Sequence, residues 1–228
     1  MKKSSLLILV IMLATCGIFF LTGCATSEQA RGVKKSGFLG DYSQLQKGGG
    51  ERALLYYVKP GVYWAGYDKV ILDSVSIWYS ENSEFEDVPQ EELDNLAHYL
   101  YDAVKKQLEQ NWTIVDKPGP GTIRLRMALT EAEGASREMD IATTYLPPAR
   151  LISEGTKLAT GTHAFVGETT IELEVLDSIS NDRLLAIVDK RSGGKHYEGS
   201  TDNWADVKQA CDWWAQKMST ELQKRRTE

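Results

Sequence analysis

Glu168-Thr-Thr-Ile-Glu-Leu-Glu-Val-Leu176, a turn over Ser178–Asp182, and Arg183-Leu-Leu-Ala-Ile-Val-Asp-Lys-Arg191 decide the fold class. Ile171, Leu173 and Val175 alternate with Glu172 and Glu174, the two-residue period of a strand with one apolar face. The turn is rich in Ser, Asn and Asp, so the return run reads as the partner strand of a hairpin. Then the period changes. Trp204, Val207, Cys211, Trp214, Met218 and Leu222 recur three or four apart, an amphipathic helix with Asp202 or Asn203 as its cap.

The same two periods recur toward the N-terminus. Thr122–Thr130 alternates Ile123, Leu125, Met127 and Leu129 against Arg124, Arg126 and Thr130. Leu93, Leu96, Ala97, Leu100, Val104 and Leu108 stripe a helix opened by Pro89, with Asp87 as a plausible cap. Ala53–Lys59, Lys69–Tyr79 and Trp112–Lys117 read as further strands. The order is β-β-α-β-β, a loop, then β-β-α. Strand runs broken by two amphipathic helices, without strict βαβ alternation, predict an α+β fold. Its mixed or antiparallel sheet carries both helices on one face. Residues 134–167 follow neither period and contain Pro147-Pro148, and so long an irregular stretch is more often functional or mobile than a plain connection.

The first 24 residues carry a different message. Met1-Lys2-Lys3, an uncharged run from Leu6 to Leu21, and Leu21-Thr22-Gly23-Cys24 resemble a bacterial lipoprotein signal. The run is short for a membrane span, which needs about 20 apolar residues. The resemblance implies cleavage between Gly23 and Cys24, with diacylglycerol on the Cys24 thiol and a further acyl chain such as palmitate on its amino group. Several chains matter, because one gives only marginal membrane binding. Ala25 stands where an aspartate marks inner-membrane retention in enteric-type bacteria, so the expected site is the outer membrane, facing the periplasm. The chain thus divides into a signal peptide (1–23), a short, polar, lipidated tether (24–35) and a single α+β domain (36–228).

Losing residues 1–23 leaves 205 of the 228 residues, and Lys2 and Lys3 go with them. Twenty-four basic residues then face 32 acidic ones, a net charge of −8. That balance argues against nucleic acid as a partner, since phosphate binding needs clustered Lys and Arg. Cys16 leaves with the signal and Cys24 takes lipid, so Cys211 has no partner for an internal disulfide and reads as a small buried hydrophobe.

Three stretches bear a family resemblance: Ser36-Gly-Phe-Leu-Gly-Asp-Tyr-Ser-Gln-Leu45, Asp177-Ser-Ile-Ser-Asn-Asp-Arg-Leu-Leu-Ala186 with Asp189-Lys-Arg191, and Trp204-Ala-Asp-Val-Lys-Gln-Ala-Cys-Asp-Trp-Trp214. Together they resemble an uncharacterised family of bacterial lipoproteins, numbered 3313 among the domains of unknown function. The resemblance implies a location and a fold, and brings no catalytic residues.

No complete catalytic signature stands out in the sequence. Gly-x-Ser-x-Gly does not occur after Cys24, and Arg191-Ser-Gly-Gly-Lys-His196 lacks the first glycine and the Ser or Thr of a phosphate loop. His98, His163 and His196 stand far apart, unlike zinc ligands, so no metal and no cofactor beyond the lipid is expected. Glu172/Glu174 and Glu131/Glu133 have the spacing of paired carboxylates, but on alternating strands they read as solvent-facing charges. Of the aromatic clusters around Tyr56–Tyr79 and Trp204–Trp214, most members are expected in the core, with Trp213 off the helical stripe. The expected role is a non-enzymatic binding or envelope-assembly module. Its membrane contact is the lipid, and its partner another envelope protein or a glycan held through Tyr145, Leu146 and Arg150 in the irregular loop. The alternative is an envelope hydrolase or glycan-acting enzyme with a site drawn from several segments.

Overall fold

The computed structural model describes residues 27–48, 52–80, 85, 88–134, 156–159, 167–193 and 202–228. Three long strands form the centre: β7 (Thr122–Glu133), β8 (Glu168–Asp177) and β9 (Arg183–Ser192). They pair antiparallel, Leu125 opposite Val175 and Leu173 opposite Ile187. The hairpin turn closes through the Asp177 carboxylate, which accepts hydrogen bonds from the amides of Ile179 (3.0 Å) and Ser180 (2.8 Å). Asn181 takes a left-handed φ of 58°, a conformation that asparagine tolerates better than most residues.

Among the described residues, shorter strands complete a mixed, nine-stranded sheet: β1 (Glu28–Gln29), β2 (Gln46–Lys47), β3 (Leu55–Val58), β4 (Lys69–Leu72), β5 (Ser76–Ile77) and β6 (Thr113–Ile114). The order is β2-β3-β9-β8-β7-β4-β6, with β1 beside β9 and β5 beside β7. On one flank β4 runs parallel to both β6 and β7. Parallel neighbours need a long crossover, and helix α1 (Gln90–Leu108) supplies it between β4 and β6.

The expected strand Lys69–Tyr79 is split. Leu72 pairs with Leu125, an offset of 53, whereas Ser76 pairs with Ala128, an offset of 52. One extra residue is therefore accommodated around Asp73, a bulge whose carboxylate holds the Arg124 guanidinium at 2.9 Å.

Both helices pack on one face, as the α+β reading requires. All six stripe residues of α1 are buried, and Val207, Cys211, Trp214 and Leu222 of helix α2 (Ala205–Thr227) join them against Ile123, Leu125, Leu129, Ile171 and Val175. The caps differ from expectation. Pro89 is the residue before α1 and Trp204 the one before α2, neither with a side-chain cap, while Asp202 accepts the Trp204 amide from two residues upstream. Asp87 lies outside the described residues.

A smaller cluster covers the other face: Phe38 and Leu39 against Ala128, Ala186 and Val188, with Tyr42 and Leu45 alongside. In its described part the stretch 24–35 is not the free tether its polarity suggests. Glu28 and Gln29 pair with Ser192 and Arg191, Ala30 donates its amide to the Lys190 carbonyl, and Ser27 and Ala30 are buried. Polar residues make a docked strand here because their bonds go to β9 backbone and to buried partners.

Candidate functional site

Helix α2 does not cover its whole face of the sheet. Between its C-terminal half and the β9–β3 flank runs a groove of about 660 Å³. Its floor is apolar, with Leu173 and Val175 of β8, Leu185 and Ile187 of β9 and Val58 of β3. Tyr56, Trp213 and Met218 form the walls, and Arg52, Lys217, Glu221 and Lys224 the rim. Glu221 sits within 3.5 Å of Lys217 and 3.9 Å of Arg225, half-buried pairs along one helix face that add little stability. Volume and lining match a site that holds a small ligand or a few inserted side chains.

At the inner end of the groove lies Asp189, fully buried. Its carboxylate accepts three hydrogen bonds: Trp214 Nε1 (2.8 Å), Gln29 Nε2 (2.6 Å) and the Leu54 amide (3.1 Å). Burial outweighs these donors and holds the carboxyl above its ordinary range. Two residues on, Arg191 is 6% exposed. It donates to Ser27 Oγ (2.9 Å) and the Ser27 carbonyl (2.5 Å), and its guanidinium lies 3.6 Å from the centre of the Trp213 ring. Burial lowers its pKa, opposed by the charges of Asp189 and Glu28. Trp213, off the helical stripe, thus serves as a plate under a buried cation. Simple counting finds both charges, since Leu185, Ile187, Asp189 and Arg191 fall on one inward phase of β9. Two charged residues on an inward phase signal a buried polar network.

The paired carboxylates overturn the sequence expectation. Glu172 is wholly buried and Glu174 is 3% exposed. Glu172 accepts the Ser36 amide (2.7 Å) and the Tyr42 hydroxyl (2.6 Å), and Glu174 accepts Arg126 (2.5 Å) and Arg183 (2.9 Å). Arg183 continues to the carbonyls of Leu39 and Asp41. Burial and Glu172 push the Tyr42 hydroxyl up to about 12. The alternation was right and the solvent was not, because residues 36–45 lie over that face. Glu131 is also buried, bound by Thr170 Oγ1 (2.8 Å), while Glu133 at the strand end is exposed. Glu172 directly, and Glu174 through Arg183, fasten the N-terminal segment.

Gly23, Cys24, Tyr145, Leu146 and Arg150 lie outside the described residues, as do His163 and His196. His98 is exposed on α1, and among the described residues no His, Cys, Asp and Glu gather in a metal-binding group. Cys211 is buried, which pushes its thiol up and keeps it unreactive. Trp64, Trp112 and Trp214 are core residues, whereas Tyr63 and Tyr79 stand in solvent.

A family model described as a protein of unknown function, DUF3313, matches residues 34–218. An uncharacterized lipoprotein, YdcL of Escherichia coli K12, is 26% identical over 203 residues, 87% of this chain and 89% of its own. Among solved structures, a PelC dodecamer from Paraburkholderia phytofirmans aligns with a TM-score of 0.39 at 12% identity, over 74% of this chain and 94% of that one. A homologue of the neuraminyllactose-binding hemagglutinin from Helicobacter pylori aligns at 0.33 and 10%, over 69% and 81%.

Proposed function

Starting from a chain that belongs to the DUF3313 family of proteins of unknown function, we propose a lipid-anchored envelope protein that binds another envelope component without catalysing a reaction. Anchoring is supported by Leu21-Thr22-Gly23-Cys24 and by the lipoprotein description of the Escherichia coli relative. Ala25 favours the outer membrane with the domain facing the periplasm. The observation that carries the binding role is the groove beside α2. It combines an apolar floor with a charged rim, and the fully buried carboxylate at its end accepts three hydrogen bonds from the fold, as a structural charge does.

Two measurements test this. Mass spectrometry of the membrane fraction should find acyl chains on Cys24, and Cys24→Ser should abolish both them and processing. Photocrosslinking residues placed at Lys224 on the groove rim and at Tyr145 or Arg150 in the loop then compare the two candidate contacts in intact envelopes. The groove reading expects a discrete adduct from Lys224. An adduct from Tyr145 or Arg150 alone moves the contact to the loop, and an unlipidated mature chain removes the anchor.

A further inference from the structure

The chain downstream of Cys24 becomes part of the fold within three residues. Ser27 is buried under Arg191, which binds both its hydroxyl and its carbonyl while stacked on Trp213. Gln29 is held from two sides, by the Asp189 carboxylate (2.6 Å) and the Arg52 carbonyl (2.8 Å). Glu28 takes Lys157 at 2.6 Å, and β1 adds its ladder to β9. Three residues span at most about 11 Å when fully extended. A lipid on Cys24 would therefore enter the bilayer within about 11 Å of a fixed point on the sheet.

We propose that Ser27–Ala30 is a rigid footing, which seats one end of the sheet on the bilayer surface. The proposal rests on the lipid-anchor reading above. The seated end is the one where β1 and β8 begin and where β9 terminates at Ser192. Lys157 and Leu158 lie there, beside Glu28 and Arg31, and Leu158 is 73% exposed. The β8–β9 turn, with Ile179 61% exposed, stands at the other end, roughly 33 Å away by the rise of ten strand residues. Helix α2 starts beside the seated end, where Asp206 accepts the Gly167 amide, and runs about 34 Å from it. The groove, lined by the far half of that helix, is then displaced from the anchor and open to a partner in the aqueous phase. With a net charge of −8 after residue 23, the domain gains no attraction from an anionic surface, so the covalent footing sets its pose.

Purified lipidated protein in vesicles of phosphatidylethanolamine and phosphatidylglycerol gives the test. Single fluorophores go on Leu158→Cys or Ile179→Cys, Cys211 being buried against labelling. Phospholipids with a nitroxide on the headgroup should quench the Leu158 probe several-fold more than the Ile179 probe. A Gly/Ser insert of about 20 residues between Thr26 and Ser27 leaves the clamp intact but adds a reach of roughly 25 Å, and should erase the contrast. Equal quenching in the parent, or a contrast that survives the insert, overturns the footing. Failure of the anchor itself shows separately, as protein that lacks acyl mass and does not float with vesicles.

Discussion

Replacing Trp214 by phenylalanine probes the buried network with little change in shape. Trp214 is 2% exposed, and its Nε1 donates at 2.8 Å to a carboxylate with no access to water. A hydrogen bond to a charged group contributes about 1.5–3 kcal/mol, and the lost ring volume adds on the order of 1 kcal/mol. The expected loss is thus about 2–4 kcal/mol, or roughly 5–15 °C in Tm for a domain of this size. The loss should also depend on pH. Burial already raises the Asp189 carboxyl, and the Trp214 bond opposes that rise. The folded state therefore binds a proton more readily than the unfolded one, so Asp189 favours folding at low pH and opposes it as pH rises from about 4 through the raised value. Without the Trp214 donor the folded value climbs further. The deficit of Trp214→Phe should be smallest near pH 4 and grow toward pH 7. Guanidinium denaturation of the chain lacking residues 1–23, at both pH values, reads it directly. A deficit independent of pH, or a Tm within about 2 °C of the parent, would refute the reasoning.

Leu100→Ala, at the centre of the α1 stripe and fully buried, should cost about 2–5 kcal/mol in the same denaturation assay, while the control Lys105→Ala, on the solvent side of α1, stays within about 0.5 kcal/mol. Gly121 has φ +72°, and a Cβ there would meet the Gly66 carbonyl oxygen at 2.9 Å. Gly121→Ala should therefore destabilise by about 1–3 kcal/mol, whereas Gly40→Ala, with φ +69° but open space around it, bears only the backbone term and should lose less.

The long elements were legible because their periods are long. β7, β8, β9 and both helices have enough turns or alternations to declare a buried face, and their ends fall within a few residues of expectation. What the pattern could not say was what lies on the opposite face. Glu172 and Glu174 alternate as surface charges do, yet residues 36–45 cover them. Nothing local reports a cover that arrives from more than 120 residues away. The two-residue strands β1 and β2 were invisible for the same reason, as their pairing partners and not their composition make them strands. The groove escaped too, since it is a space left between elements. Only the charges on the inward phase of β9 hinted at its buried end.

The route of the N-terminal segment imposes an order on folding. Ser27 is held by Arg191, Ser36 by Glu172 and Leu39 by Arg183, each partner more than 130 residues later in the chain. Whatever emerges first from a ribosome or a secretion pore cannot settle until the β8–β9 hairpin has followed it. Until then the first strand has no neighbour and Phe38 and Leu39 no sheet to cover, so the beginning of the chain stays open to enzymes acting on it. The closing of the first segment over the sheet can therefore come only after that hairpin is in place. Such long-range closure is slow, because the loop entropy is lost before its contacts form.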